Sequence, residues 1–376
     1  MSQPAQDLPP EVALTLEDLE VARIPEDVSA DRRIVLVAGS GRSGTSLMSG
    51  ILKSIGLHVP EPEVVADSTN PKGFGEPQWV VDFHDLLLRR AIVHPSDARP
   101  GAWFDAGRVS GREAFRADLT TWLEEQFAVA DQLVIKDPRL AWFLSLWRVA
   151  AVRAGASTSI VTMLRPPAEV VASKNKYYGG RLGDISRLAG WTNMMLYTER
   201  ATRGSRRTFV RYHDLLDDWT STIVRAGEEI ELDSITHAGI DRMKEVHNFV
   251  DPALHRVRSG WEDLSVPQPL QEVAEATWQQ LNKLAEPGGD TPDVREELDG
   301  LRRVYGDLYA EAEALTSSTA EAAGPTFLRS VRRAREQRAA EAVAAELAEA
   351  SAARRAAVRA RGIAGRAKRR LQGQGG

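Results

Sequence analysis

The chain has 376 residues, no cysteine and a formal net charge of −5. That length suggests about two domains or one large one, and the missing cysteines exclude disulfides, thiolate metal sites and a cysteine nucleophile. No apolar run approaches the roughly 20 residues that span a bilayer. The acidic, proline-containing segment 1–32 lacks the basic and then apolar pattern of a secretory signal, so a cytoplasmic protein is expected.

Segment 1–32 reads as a loose lead-in. Arg33–Ala38 is a short, apolar, β-branched run, the pattern of a buried strand. Gly39–Thr45 holds three glycines, and Ser46–Ile55 then has helical apolar spacing through Leu47, Met48, Ile51, Leu52 and Ile55. Residues 60–77 are rich in Pro, Gly, Asp and Asn and form a loop. Helices are expected at Gln78–Arg90 and Gly111–Ala130, followed by a strand at Leu133–Ile135 that ends in Lys136–Arg139. A helix at Leu140–Ala154 precedes a strand at Thr158–Leu164, stopped by Arg165, Pro166 and Pro167. Helices at Ala168–Lys176 and Leu182–Thr202 lead to a strand at Thr208–Arg211 and a helix at Tyr212–Arg225. Residues 227–267 are less regular, 269–316 are mostly helical, and Thr326–Leu371 reads as one long Ala/Arg/Glu-rich helix.

Strands alternating with helices imply a parallel sheet covered on both faces, with ligands at the carboxyl ends of its strands. The fold class expected is α/β, a P-loop NTPase-like central parallel sheet flanked by helices, with a helical C-terminal extension. The expected division is a lead-in at 1–32, an α/β domain at 33–265, a helical part at 266–322 and a basic helix and tail at 323–376. From Arg329 to Arg370 there are 13 Lys/Arg against 4 Asp/Glu. That stretch therefore carries about +9, and the rest of the chain about −14. This basic stretch reads as a solvated face steadied by nearby Glu, or as a weak contact with a membrane surface. It has no aromatic residues, which argues against nucleic acid.

The first motif is Gly39-Ser40-Gly41-Arg42-Ser43-Gly44-Thr45-Ser46. Glycines let backbone N–H groups converge on phosphate oxygens, and the following helix adds its partial positive charge. Thr45 and Ser46 can donate hydroxyl hydrogen bonds, and Arg42 supplies a forked cation. The ATP-type loop reads Gly-x-x-x-x-Gly-Lys-Ser/Thr. Here Gly39 and Gly44 keep the glycine spacing, but Thr45 stands where that loop has Lys. The alternative is a tight turn that needs glycine only for its geometry.

The second motif is Arg165 at a strand end with Ser173 about two helical turns on, placed to hold a second phosphate; the alternative is a surface Arg and a solvent-facing Ser. The third is Lys136-Asp137-Pro138-Arg139. Lys136 can neutralise charge on a transferring group, whereas Asp137 and Arg139 can simply pair with each other.

Together the first two motifs resemble those of sulfotransferases that use 3′-phosphoadenosine-5′-phosphosulfate. In that family a loop of the type x-x-Arg/Lys-Ser-Gly-Thr-Ser/Thr binds the 5′-phosphosulfate, and an Arg followed about eight residues later by a Ser binds the 3′-phosphate. The resemblance spans about residues 33–260 and extends to the Asn-Pro-x-Gly-x-x-Glu element at Asn70–Glu76. It implies that Gly41, Arg42, Ser43, Gly44, Thr45 and Ser46 hold the 5′ end and that Arg165 and Ser173 hold the 3′-phosphate. Tyr212 would contact adenine, although a structural Tyr at a strand end is an equal reading. Arg256 and Arg258 would stand in for the family's Gly-x-x-Gly-x-x-Lys loop, which this chain lacks. Lys136 would stabilise the leaving group. The base that takes the acceptor proton would be Glu76, with His84 as second choice and Asp82 as third. His84 also reads as a core histidine beside Phe83.

The implied reaction moves a sulfuryl group to a hydroxyl acceptor, a carbohydrate or glycolipid in the first instance, with no metal. A nucleotide-kinase type of phosphotransferase is the second reading, and a non-catalytic nucleotide-binding scaffold the third. The acceptor itself and the oligomeric state are not legible in the sequence.

Overall fold

The computed structural model describes residues 32–67, 70, 73–179, 182–251 and 258–317. Four strands form one parallel sheet in the order β2-β1-β3-β4. They are β1 (Arg33–Ala38), β2 (Gln132–Lys136), β3 (Ser157–Leu164) and β4 (Arg206–Arg211). β1 pairs on one side with β2, in the register Val37 to Lys136, and on the other with β3, in the register Ala38 to Thr162. The chain leaves β1 for β2 on one flank and returns to β3 on the other. The crevice beyond the end of β1 is therefore the topological switch point, where an open α/β sheet binds its ligands.

Alternation along β1 sends side chains to both faces. Ile34, Leu36 and Ala38 pack with α2 (Gln78–Ala91), α3 (Ala102–Ser110), α4 (Glu113–Phe127) and α5 (Leu144–Arg153). Val35 and Val37 pack on the opposite side with α1 (Thr45–Ile55). A third apolar cluster joins α6 (Pro167–Tyr178) and α7 (Asp184–Thr202) to Phe209 of β4. α8 (Tyr212–Asp217), α9 (Trp219–Glu229), α10 (Asp233–Thr236), α11 (Ile240–Phe249) and α12 (Gln268–Leu284) complete the order, and the chain is helical again over 292–310. Tyr305 of that last stretch is buried against the third cluster.

The structure corrects the expected elements in four places. α3 occupies a stretch for which the sequence pattern predicts no element. Pro138–Phe143 is a 3-10 turn rather than the start of a long α-helix, because the Asp137 side chain accepts the Arg139 N–H and caps it. The helix expected at Tyr212–Arg225 is broken at Asp218, whose carboxylate accepts the Ser221 N–H and starts α9. α10 and α11 lie within the stretch expected to be irregular.

The chain divides into two compact units, 1–310 and 311–376. Of the second, residues 311–317 are described and are helical. The lead-in and the basic helix expected over Thr326–Leu371 lie outside the described residues, as does Arg256. No helix among the described residues is long and apolar enough to cross a membrane.

Candidate functional site

The loop between β1 and α1 is folded on itself. Ser43 donates to the Ser40 carbonyl both from its backbone N–H (3.1 Å) and from Oγ (2.6 Å). Gly44 has φ +94°, and a Cβ there would stand 2.3 Å from the Tyr212 ring. No other residue type fits that contact, so the glycine fixes the loop against the start of α8. α1 then begins at Thr45, and its first amides have no carbonyl one turn back to bond.

Arg42 has φ +76°, a conformation non-glycine residues adopt at some cost. The second motif holds it there. Arg42 Nε donates to Ser173 Oγ at 3.1 Å, the guanidinium stacks 4.3 Å from the Tyr177 ring centroid, and Arg165 donates to the Arg42 carbonyl at 3.1 Å. Arg165 in turn donates to Glu169 at 2.8 Å and lies 4.8 Å over the Tyr212 ring. Two motifs separated by over a hundred residues thus form one cluster of cations, hydroxyls and aromatic rings at the ends of β1, β3 and β4.

The third motif lies across the switch point at the end of β2. Lys136 Nζ donates to Ser46 Oγ at 3.0 Å and is ion-paired with Glu76. Glu76 is positioned by its own loop: Val64 N–H donates to the Glu76 carbonyl, and Ser49 of α1 donates to the Gly75 carbonyl. Burial pushes the Glu76 carboxyl above its ordinary range, although Lys136 stands against it.

Behind Lys136 lies a buried polar chain. Trp147 Nε1 donates to His84 Nε2 at 2.9 Å, so His84 Nδ1 carries the proton and donates to Asp137 at 2.9 Å. Arg139 also donates to Asp137, at 2.8 Å, and pairs with Asp85. Burial alone would raise the Asp137 carboxyl; the hydrogen bond from His84 and the charge of Arg139 outweigh it and hold it at about 2.

These elements enclose a cavity of about 640 Å3. Gly41, Arg42, Gly44, Thr45, Ser46, Glu76, Lys136, Arg165, Ser173 and Tyr212 all line it. So do Arg139, Lys174 and Arg187, giving six Lys/Arg against one carboxylate among the described lining residues. Such a wall attracts a multiply charged anion.

Three expected site residues stand apart. Ser43 is buried with its hydroxyl turned onto Ser40. His84 is fully buried, with both ring nitrogens engaged by Trp147 and Asp137, and does not reach the lining. Arg258 is exposed and borders a separate depression with Glu169, His213, Asp217, Glu262 and Asp263. The chain beyond Arg258 runs into the acidic turn Trp261–Asp263, which borders the same depression.

Sequence reasoning missed Lys174 and Arg187. Lys174 is the neighbour of Ser173, and only the tertiary contacts with Ser40 and Ser96 show that it is buried. Arg187 is preceded by no motif. Among the described residues there is no group of three His, Asp or Glu placed to hold a metal ion.

No family model and no curated protein sequence matches the chain. Among solved structures it is similar to a sulfotransferase domain from a Synechococcus olefin synthase (15% identity, TM-score 0.40, 68% of this chain and 96% of that one). It is also similar to a sulfotransferase domain from the curacin biosynthetic pathway (16%, 0.38, 67% and 98%). A third similar structure is a sulfotransferase from Mycobacterium tuberculosis (15%, 0.36, 70% and 80%).

Proposed function

We propose that this chain is a sulfotransferase that takes its sulfuryl group from 3′-phosphoadenosine-5′-phosphosulfate and passes it to a hydroxyl acceptor. The observation that carries the reading is the joining of Arg42, Arg165 and Ser173 into one cluster beside the phosphate loop, across the cavity from the Lys136–Glu76 pair. The lining fits a donor charged at both ends. The loop, the α1 N-terminus and Arg42 suit the 5′ end, Arg165 and Ser173 suit the 3′-phosphate, and Tyr212 offers a ring face.

When bound, the donor supplies an activated sulfuryl group. Glu76 would take the acceptor's proton at its carboxylate while the acceptor oxygen bonds to sulfur. Lys136 would lie beside the leaving oxygen, where the electron pair of the broken bond settles. In the free protein Lys136 and Glu76 hold each other. Drawing Lys136 onto the donor's negative charge releases the Glu76 carboxylate, and burial then makes that carboxylate a better base. His84, Asp137 and Arg139 would act as positioning residues that fix the end of β2. A carbohydrate or glycolipid acceptor and a cytoplasmic setting stay part of the proposal.

The kinase reading needs a carboxylate free to hold magnesium, whereas the one carboxylate among the described lining residues, Glu76, is engaged by Lys136. Calorimetric titration without magnesium separates the two readings. Adenosine 3′,5′-bisphosphate should bind at least tenfold more tightly than ADP. Equal binding of ADP, or binding of either only with magnesium, would contradict the proposal.

A further inference from the structure

Lys174 lies on α6, one residue beyond Ser173 and so about 100° further round the helix. Ser173 meets Arg42, whereas Lys174 Nζ donates to Ser40 Oγ at 3.0 Å and reaches Ser96 Oγ at 3.4 Å. An ammonium has three N–H donors, and the third has no partner among the described residues. Lys174 is 5% exposed, and no carboxylate pairs with it among the described residues. Arg187, at the start of α7, is 4% exposed; its guanidinium donates to the backbone carbonyls of Leu182 and Gly179 and likewise has no carboxylate partner among the described residues. Both line the cavity.

The wall facing them is built rigidly. Gly190 of α7 lets the 94–99 loop approach so closely that a Cβ would stand 2.4 Å from the Ser96 carbonyl. Asn193 donates to the carbonyls of Asp97 and Arg99 at 3.0 Å each. Tyr305 Oη bonds to the Ala98 carbonyl at 2.6 Å. Burying a cation without a counter-charge is costly, and here two cations share one corner. Burial, and then the neighbouring Arg187 charge, lower the Lys174 ammonium to about 8. An anion received in this corner would relieve that cost.

We propose that Lys174 and Arg187 form a second anion subsite, adjoining the phosphate loop at Ser40 but set apart from the Arg42–Arg165–Ser173 cluster, that reads a negatively charged group such as a phosphate on the acceptor. The inference rests on the sulfotransferase reading and narrows it: the acceptor is a hydroxyl compound that also carries an anionic group. Lys174 and Ser96 take one side of that group and Arg187 the other, which leaves the acceptor hydroxyl to face Glu76.

The test uses the full chain saturated with adenosine 3′,5′-bisphosphate, into which inorganic phosphate and glycerol 3-phosphate are titrated in turn. Both should bind, glycerol 3-phosphate at least as tightly as phosphate. Each should weaken at least tenfold in Lys174→Met, with bisphosphate affinity held within threefold. Phosphate binding should persist in Lys136→Gln, which keeps an N–H donor toward Glu76 and Ser46. Lys174→Met should also melt at a higher temperature than the parent chain when no anion is present, an outcome a purely structural lysine would reverse. Loss of phosphate binding in Lys136→Gln but not in Lys174→Met would place the ion at the sulfuryl position and overturn the proposal. Binding of phosphate with exclusion of glycerol 3-phosphate would assign the corner to a free ion and overturn the acceptor claim. If the bisphosphate itself fails to bind, the donor reading falls, and phosphate titration of the free protein still tests Lys174.

Discussion

Two buried lysines face one cavity and are held in opposite ways. Lys136, at the end of β2, sits against Glu76 and Ser46. Lys174, on α6, sits against two hydroxyls and, among the described residues, no carboxylate. The first is neutralised locally, so a ligand reaching it must rearrange an existing ion pair. The second carries an uncompensated desolvation cost that an arriving anion relieves. Burial alone therefore does not define what a cation does; its partner does. A lysine paired with a carboxylate suits proton handling at the reacting centre, and an unpaired one suits binding.

The largest effect expected from this contrast is catalytic. Glu76→Gln removes the proton acceptor and should lower donor turnover by about 10²- to 10⁴-fold. Affinity for adenosine 3′,5′-bisphosphate, measured by calorimetry, should stay within threefold. A turnover loss below fivefold would move the base elsewhere.

Stability should separate the two lysines by sign. Lys136→Met leaves Glu76 buried without its partner and should destabilise the ligand-free chain by about 3–5 kcal/mol. Lys174→Met removes a buried charge that has no carboxylate partner among the described residues and should stabilise it. Urea unfolding of both variants reads the comparison directly, and shifts of the same sign would break it.

The pH dependence sharpens it further. Lys174 is lowered from the ordinary 10.5 to about 8 by burial and then by Arg187. Between those values the unfolded chain binds more protons than the native one, so its contribution to stability rises with pH across that window. It is lost again as pH falls through about 8. The rising limb should vanish in Lys174→Met, and phosphate binding to the native chain should weaken as pH climbs past 8. A limb that persists in the variant would place the titrating group elsewhere. The smallest expected effect is at Gly44. Gly44→Ala would drive a methyl into the Tyr212 ring and should cost about 1–3 kcal/mol, with a matching loss of nucleotide affinity.

Local pattern made much of this legible in the sequence. The β-branched run Arg33–Ala38, the glycine loop and the apolar spacing to Ile55 are contiguous, so strand, turn and helix can be read together. Arg165 and Ser173 are legible because a strand end and two helical turns fix their spacing. Lys174 was not, since a single lysine beside a motif serine looks like a solvated helix residue until Ser40 and Ser96 are seen to enclose it. His84 stands as a second candidate base in the sequence because one position cannot show that Trp147 and Asp137 occupy both ring nitrogens. The break at Asp218 was hidden by continuous helical periodicity, although a side-chain cap overrides it. The α3 stretch carries two tryptophan-ring contacts, with Trp142 and Tyr197, that only the tertiary fold supplies.

The central claim is that Arg165 and Ser173 read a 3′-phosphate. A thermodynamic cycle tests it most directly. Calorimetry would compare adenosine 3′,5′-bisphosphate with adenosine 5′-monophosphate in the parent chain and in Arg165→Met. Charge-assisted hydrogen bonds of about 1.5–3 kcal/mol predict that the parent chain prefers the bisphosphate by about 10- to 100-fold, and that this preference collapses in the variant. An equal preference in both chains would contradict the assignment and with it the donor proposed for this cavity.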